Sequence, residues 1–337
     1  MQDTKKYFYN IDEFTEEILK SKNTFGSRGW NTGFPVLDEI LSYKRGASSL
    51  IYSYAHQGKT QYALEESCYL ARRYGVISAM YLTEAGSKGE AVLDIVQTYL
   101  GKQAADISDD ELFEALEWAK KYFYIADVSA RLANVVEIYQ GVKQLKESGV
   151  DVGNVIIDHF HNITKHQDQN FMDRADITKF VLQQVTRASA KLNVHTFILF
   201  HVRDTSPVKC DKSGIWYLPQ PEGYAISGGQ QAGYLAQNMI SVWRPISRED
   251  HYGVINPQTG APYELNECYI TCTKVKPKGT ATLGRRVMYF DVSKQRYYCV
   301  KDGRRYYAGD YDTTPTPHDK KQAWEKKKSM LDEEDLF

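Results

Sequence analysis

Residues 53–60 read SYAHQGKT and, with one exception, follow the phosphate-binding pattern G-x-x-x-x-G-K-[ST]. Gly58 stands where the backbone must pass close to phosphate oxygens. Lys59 stands where a cation reaches the β- and γ-phosphates, and Thr60 where a hydroxyl meets Mg2+. Ser53 replaces the first glycine, at a cost only if that position needs φ > 0. Ser53, Gln57, Gly58, Lys59, Thr60 and Gln61 are therefore the candidate nucleotide-binding residues. Three further residues close apolar runs: Glu84 in AMYLTE, Asp158 in NVIID and His201 in FILFH. Phosphoryl transfer needs such a set: an acid to order the water ligands of Mg2+, a carboxylate to orient the attacking water, and a polar sensor at the γ-phosphate. Asp158 fits the first role together with Thr60, largely through water. Glu84 fits the second and His201 the third.

These residues work only if the elements that carry them meet. SSLIYSY reads as a strand entering the loop, and KTQYALEESCYLARRYG as a helix leaving it, which turns first-turn N–H groups and the positive end of the dipole toward an anion. From about residue 30 to 245, short apolar runs alternate with longer amphipathic ones, the rhythm of an α/β fold with a parallel sheet. VISAMYLTE, FYIADV, NVIIDHF and HTFILFHV read as further strands; NVVEIYQGVKQLKESG and RADITKFVLQQVTRASAKLN read as helices. All carboxyl ends of a parallel sheet share one edge, where ligands bind. Glu84, Asp158 and His201 are thus expected beside Lys59 and Thr60. A loop rich in charge, Gly and Pro covers about 203–226, after which NMISVWRP, YITCTKVK and RVMYFDVS read as closing strands with a hairpin. Near the start, Ile11, Phe14, Ile18 and Leu19 share one helical face, either a pad on the chain's own core or an arm for a neighbour. After about residue 308 the chain is polar, Pro-containing and charge-blocked, as a mobile tail would be.

A chain of 337 residues can bury a full core, as one large domain or two modest ones. The net charge of −1 gives no bulk basic field, so any nucleic-acid contact must come from local patches. The five cysteines show no zinc spacing; Cys268 and Cys272, close together in an apolar stretch, read as buried reduced thiols. No signal peptide is visible, and no apolar run approaches the ~18 residues of a membrane span. Together these imply a cytoplasmic protein with no membrane role.

The ordered set WNTGFPVLD, SYAHQGKT, YLTEA, NVIIDHFHNI, FILFHVRD, ISGGQQAGYLAQNMISVWR and TKVKPKG resembles the RecA-type motor domain of DnaB-like replicative helicases, closest to the Twinkle and phage primase-helicase branch. The likeness runs over about residues 28–300. It implies a RecA-like P-loop NTPase: a mostly parallel central sheet flanked by helices, with a short N-terminal linker helix and a flexible acidic C-terminal tail. The expected divisions are a linker and oligomerisation arm at 1–27, the motor at 28–307 and the tail at 308–337. By the resemblance Glu84 is the catalytic glutamate, Asp158 the magnesium-associated aspartate and His201 the sensor, with Arg203 completing an H-x-R. The family's K-x-R, which reaches a neighbour's γ-phosphate, reads KVK here, so Lys274 and Lys276 hold the catalytic positions in trans; the lesser alternative is a pair of simply solvated strand-end lysines. Lysine supplies the charge without the forked geometry of arginine. Gly228 and Gly229 of ISGGQQ hold the place of a DNA-touching loop, and Gln237 stands where an acidic residue is expected.

The implied function is an ATP- and Mg2+-dependent helicase, phage- or mobile-element-like, that forms a hexameric ring and moves on single-stranded DNA at a replication fork. Lys165, Arg203, Lys209 and Lys212 are the loop cations available to the DNA backbone, giving sequence-tolerant, salt-sensitive binding. No primase, zinc or large DnaB-type amino-terminal module is expected before residue 28. The ending MLDEEDLF pairs acidic residues with Leu336 and Phe337, a tip suited to a basic-rimmed apolar pocket on a primase, polymerase or single-strand-binding protein; a merely solubilising end is the plain reading. Two other readings stay open: a RecA-like recombinase filament, and an ATP-switched DNA-binding or loading factor with slow turnover.

Overall fold

The structure, a computed structural model, describes residues 10–24, 28–129, 131–163, 174–202, 206–226, 229–245, 254–277 and 279–311. Lys165, Arg203, Gly228, Leu336 and Phe337, and with them nearly all of the expected tail, lie outside the described residues.

The strands form where the apolar runs fall. They are β1 (Ser48–Ser53), β2 (Ile77–Leu82), β3 (Phe123–Ile125), β4 (Val152–Asp158), β5 (His195–His201), the short β6 (Val208–Lys209) and β7 (Trp216–Tyr217), β8 (Asn238–Trp243), β9 (Glu267–Val275), β10 (Gly284–Asp291), β11 (Arg296–Lys301) and β12 (Arg304–Tyr307). Among the described residues, ten of these make one sheet in the order β12-β11-β10-β9-β8-β1-β5-β4-β2-β3, while β6 and β7 pair separately. From β8 to β3 the pairings are parallel; from β8 to β12 they are antiparallel. β1, β4 and β8 are buried along their whole length, which explains why they read as unbroken apolar runs without alternation.

The helices α2 (Lys59–Tyr74), α3 (Lys88–Leu100) and α4 (Asp109–Tyr122) follow β1 and β2. Leu64, Leu70, Ile95 and Ala119 from these helices join Ile51, Ile156 and Leu199 in one core. On the other face, α5 (Val135–Glu147), α6 (Arg174–Leu192) and α7 (Gly229–Leu235) build a second core through Tyr139, Val142, Val185 and Ala232 against Leu50, Val155 and Ile198. The result is a three-layer α/β architecture with the parallel strands at its centre.

β11 and β12 are not among the expected strands. They pair through a tight turn in which Asp302 (φ 50°) and Gly303 (φ 74°) both take positive φ, the geometry that joins antiparallel strands in register. At the other end of the chain, α1 (Thr15–Thr24) follows a 3-10 turn at Ile11–Phe14. Ile11, Ile18 and Leu19 are 74, 48 and 58% exposed, so they form no pad on the domain's own core. All five cysteines are free and buried. No helix among the described residues is long and apolar enough to cross a membrane.

Candidate active site at the carboxyl edge of the sheet

β1 delivers the chain to Ser53, which pairs in register with His201 of β5. Ser53 is a fully buried strand residue whose Oγ donates to the Tyr54 carbonyl at 2.7 Å. Positive φ within the loop falls instead on His56 (59°) and Gly58 (91°), so the serine at the first-glycine position carries no left-handed backbone strain. Gly58 is different. A Cβ there would lie 2.2 Å from Oη of Tyr297, and that hydroxyl donates to the Gly58 carbonyl at 3.1 Å. Lys59 then opens α2, with its side chain buried at the helix's positive end.

The tips of β2, β4 and β5 close in around this loop. Leu82 and Asp158 are register partners, and Thr83 locks the two tips together: its N–H and hydroxyl both donate to the Asp158 carbonyl, at 2.7 and 2.9 Å. Thr60 Oγ1 donates to Asp158 Oδ2 at 2.6 Å, tying the first turn of α2 to the end of β4. Lys59 Nζ lies 3.2 Å from His201 Nδ1, and His201 Nε2 lies 3.0 Å from Glu84 Oε1. With the ammonium donating to Nδ1, the proton of the neutral ring sits on Nε2 and is donated to Glu84. A continuous chain from Lys59 through His201 to Glu84 follows.

Burial shapes the charges. It pushes the Asp158 carboxyl up to about 6, with the nearby Glu84 charge adding to it against the Thr60 hydrogen bond. It pushes the Lys59 ammonium down, opposed by Asp158 and Glu84. Burial alone would raise Glu84, but the hydrogen bond from His201 and the charges of His159, His201 and Lys59 outweigh it and hold the carboxyl below its ordinary value. His201 is held down by burial and by Lys59, and His159 falls to about 4, mainly through burial.

A cleft of about 1010 Å³ opens here, lined among others by His56, Lys59, Thr60, Glu84, His159 and His201. The residues fit a Mg2+-nucleotide. The loop leaves no room for a side chain at Gly58, Lys59 supplies a cation, and Thr60 supplies a hydroxyl. Asp158 keeps a buried Oδ1 with no hydrogen-bond partner, an acceptor ready for a metal-bound water.

Of the other expected residues, Gln61 also lines the cleft, and the rest lie apart from this centre. Gln57 turns its side chain to the backbone of Arg244, at 3.2 and 3.4 Å, and Gln61 binds Thr98 and the Gln295 carbonyl. Val275 pairs with Asn238 at the beginning of β8, which places Lys274 and Lys276 at the amino edge of the parallel strands. The six residues of β1 separate that edge from the loop by about 20 Å. There the two ammoniums reach α7 carbonyls, Lys274 those of Gly233 and Tyr234, Lys276 that of Tyr234. Neither reaches its own chain's cleft. Gln237 takes a structural part, accepting from the N–H and hydroxyl of Ser48 at 2.7 and 3.1 Å. Lys209 and Lys212 are exposed on the β6–β7 hairpin, and Gly229 begins α7. Three site residues were not anticipated. His159 had a signal, since it directly follows Asp158. Thr83 had the same kind of signal beside Glu84, whereas Tyr297, 239 residues from Gly58, had none.

No protein-family model matches the chain, and no curated protein sequence matches it. Solved structures do. One, described as an ATPase domain, superposes with a TM-score of 0.63 at 17% identity, covering 86% of this chain and 99% of that one. Another, a DnaB-like replicative helicase described with its interactions with primase, gives a TM-score of 0.65 at 17% identity, covering 86% of this chain and 68% of that one. The chain has the fold of DnaB-like helicase ATPase domains. At this identity the likeness concerns the fold, and the chemistry is read from the residues in the cleft.

Proposed function

We propose that the chain is the motor of a DnaB/Twinkle-type helicase, hydrolysing ATP to move along single-stranded DNA and open duplex at a replication fork. The observation that carries this reading is the convergence, from a loop and three strand tips, of Lys59, Thr60, Glu84 and His201 on one cleft, with the buried Asp158 bound directly behind Thr60. Lys59 binds the β- and γ-phosphates as it leaves His201. Thr60 and Asp158 would hold Mg2+, largely through its water, and that ion would supply charge to offset the phosphates. Glu84, kept ionised by His201 and Lys59, orients the attacking water and draws its proton. His201 bridges the phosphate-binding lysine and the water-orienting carboxylate, as a sensor must.

In this reading Lys274 and Lys276 act on the next subunit's nucleotide, consistent with their place about 20 Å from their own loop. The exposed apolar face of α1 is the arm that holds neighbours in a ring. Lys209 and Lys212, with Lys165, Arg203, Gly228 and Gly229, serve the DNA backbone in the channel, and Leu336 and Phe337 offer a docking tip for a replication partner such as a primase. The whole acts in the cytoplasm, that of the host for a phage-encoded protein. A second reading, an ATP-switched DNA-binding factor with slow turnover, is favoured by one feature: the cations at the trans position are lysines already engaged with α7 carbonyls.

Hydrolysis measured with and without single-stranded DNA, beside Lys59→Ala, tests the reading. DNA-stimulated turnover lost in the variant, and closed rings in electron micrographs, support the motor. Open filaments support a recombinase instead, and binding without turnover supports the switch.

A further inference from the structure

His159 has no part in the hydrolytic scheme, yet it is built into the same cleft. Its side chain is 10% exposed, and its Nδ1 has no hydrogen-bond partner although it points at Glu84 Oε1, 3.3 Å away. A buried ring nitrogen left in this state asks for an explanation. The same Glu84 oxygen lies 3.0 Å from His201 Nε2, and Glu84, His159 and His201 each offer a ligand atom within 4.8 Å of the other two. Donors on a divalent transition ion, at bond lengths of about 2.0–2.2 Å, stand about 2.8–3.6 Å apart at octahedral or tetrahedral angles. The two contacts with Glu84 already have that spacing. The rings of His159 and His201 are nearly perpendicular, 85° apart with centroids at 4.5 Å, so the two imidazoles flank Glu84 without stacking on each other.

We propose that Glu84 Oε1, His159 Nδ1 and His201 Nε2 form a site for a borderline divalent transition-metal ion of the Zn2+, Co2+ or Ni2+ kind. Two imidazoles and one carboxylate select such ions over Mg2+, which prefers oxygen ligands throughout. The site is distinct from the Thr60–Asp158 position, whose donors are all oxygens. Three protein ligands leave room for water on the ion, and the cleft is open to supply it.

Binding asks His201 to carry its proton on Nδ1 instead of Nε2. Lys59 then has no acceptor there and turns back toward the loop. The ion also occupies the carboxylate that orients water, so an occupied site halts turnover. That consequence rests on the proposed function; the binding does not.

The probe is Co2+ alone, titrated into the full chain without nucleotide or Mg2+ and followed by its visible absorption. Saturable ligand-field bands are expected at one ion per chain, displaced by Zn2+ and unaffected by Mg2+. His159→Ala should weaken the binding by about 100-fold or more, beyond the loss seen when only a supporting residue is removed. Should that variant fail to fold, Glu84→Gln removes a charged ligand at constant size and should do the same. Absence of bands, or bands unchanged in both variants, overturns the site. Hydrolysis is measured separately on metal-free protein with Mg2+. Bands without any turnover would reject the motor and leave the metal site standing, and turnover without bands would do the reverse.

Discussion

The hydroxyl of Tyr297 donates to the Gly58 carbonyl at 3.1 Å and occupies the space a side chain on Gly58 would need. The tyrosine comes from β11, in the antiparallel half of the sheet, and the glycine from the loop between β1 and α2. The late strands therefore hold the loop in shape. Gly58→Ala should cost about 1–3 kcal/mol through its left-handed backbone and the clash together, and should abolish binding of a fluorescent nucleotide analogue. Tyr297→Phe keeps the packing and loses one hydrogen bond, so about 1 kcal/mol and a partial loss of affinity are expected in the same titration. Unaltered nucleotide binding in Gly58→Ala would show that the loop is not held as described.

Ser53→Gly should not improve the site. Ser53 sits in a strand, away from the residues with positive φ, and restoring the glycine of the usual pattern adds chain entropy and removes the hydrogen bond to the Tyr54 carbonyl. A loss of about 0.5–1 kcal/mol in urea unfolding, with turnover unchanged, is expected. A marked gain in turnover would mean that the serine is a real defect.

Arg296 Nη2 meets Glu65 Oε1 at 2.9 Å, with side-chain exposures of 11 and 0%. Burial raises the Glu65 carboxyl, and the guanidinium opposes it. Arg296→Ala strands a carboxylate in the core and should cost about 3–5 kcal/mol, while Arg296→Met with Glu65→Leu should recover most of that. Because Arg296 precedes Tyr297, the single variant should also weaken nucleotide binding. Equal stability of the single and double variants in chemical denaturation would contradict this account.

How much of this was legible followed from the range of each interaction. The runs ending at Asp158 and His201 announced themselves because central parallel strands are apolar on both faces and turn polar only where they leave the sheet. One shared edge then gathers the residues at those tips without further information, which is why Glu84, Asp158, His201 and Lys59 could be expected together. The directions of Gln57 and Gln61 depend on partners at Arg244 and Gln295, far along the chain, and no local pattern encodes them. Tyr297 and Arg296 belong to the same class. The β11–β12 hairpin did carry a local signal, the Asp302–Gly303 turn between aromatic runs, but the neighbouring charged stretch resembles a tail.

His195 begins β5 with no exposed surface, its Nδ1 against the Lys44 carbonyl at 2.9 Å. Burial pushes its pKa down to about 4 from the ordinary 6.5, so the folded chain binds fewer protons there than the unfolded chain. The resulting stability is whole above pH 6.5 and is lost as the pH falls toward 4, about 3 kcal/mol in all. His195→Gln keeps a donor for Lys44 but does not titrate. Urea unfolding at pH 7 and at pH 4 should show a smaller acid loss for the variant by about that amount. An identical loss in both proteins would assign the acid sensitivity elsewhere.

The most direct test of the account is Glu84→Gln in an ATP hydrolysis assay with saturating single-stranded DNA. The amide keeps the shape and can still accept from His201, but it cannot take a proton from water. Nucleotide binding should survive, and turnover should fall by about 10²–10⁴-fold. Turnover at the level of the unaltered chain would contradict the account, because the carboxylate held by His201 would then have no part in the chemistry.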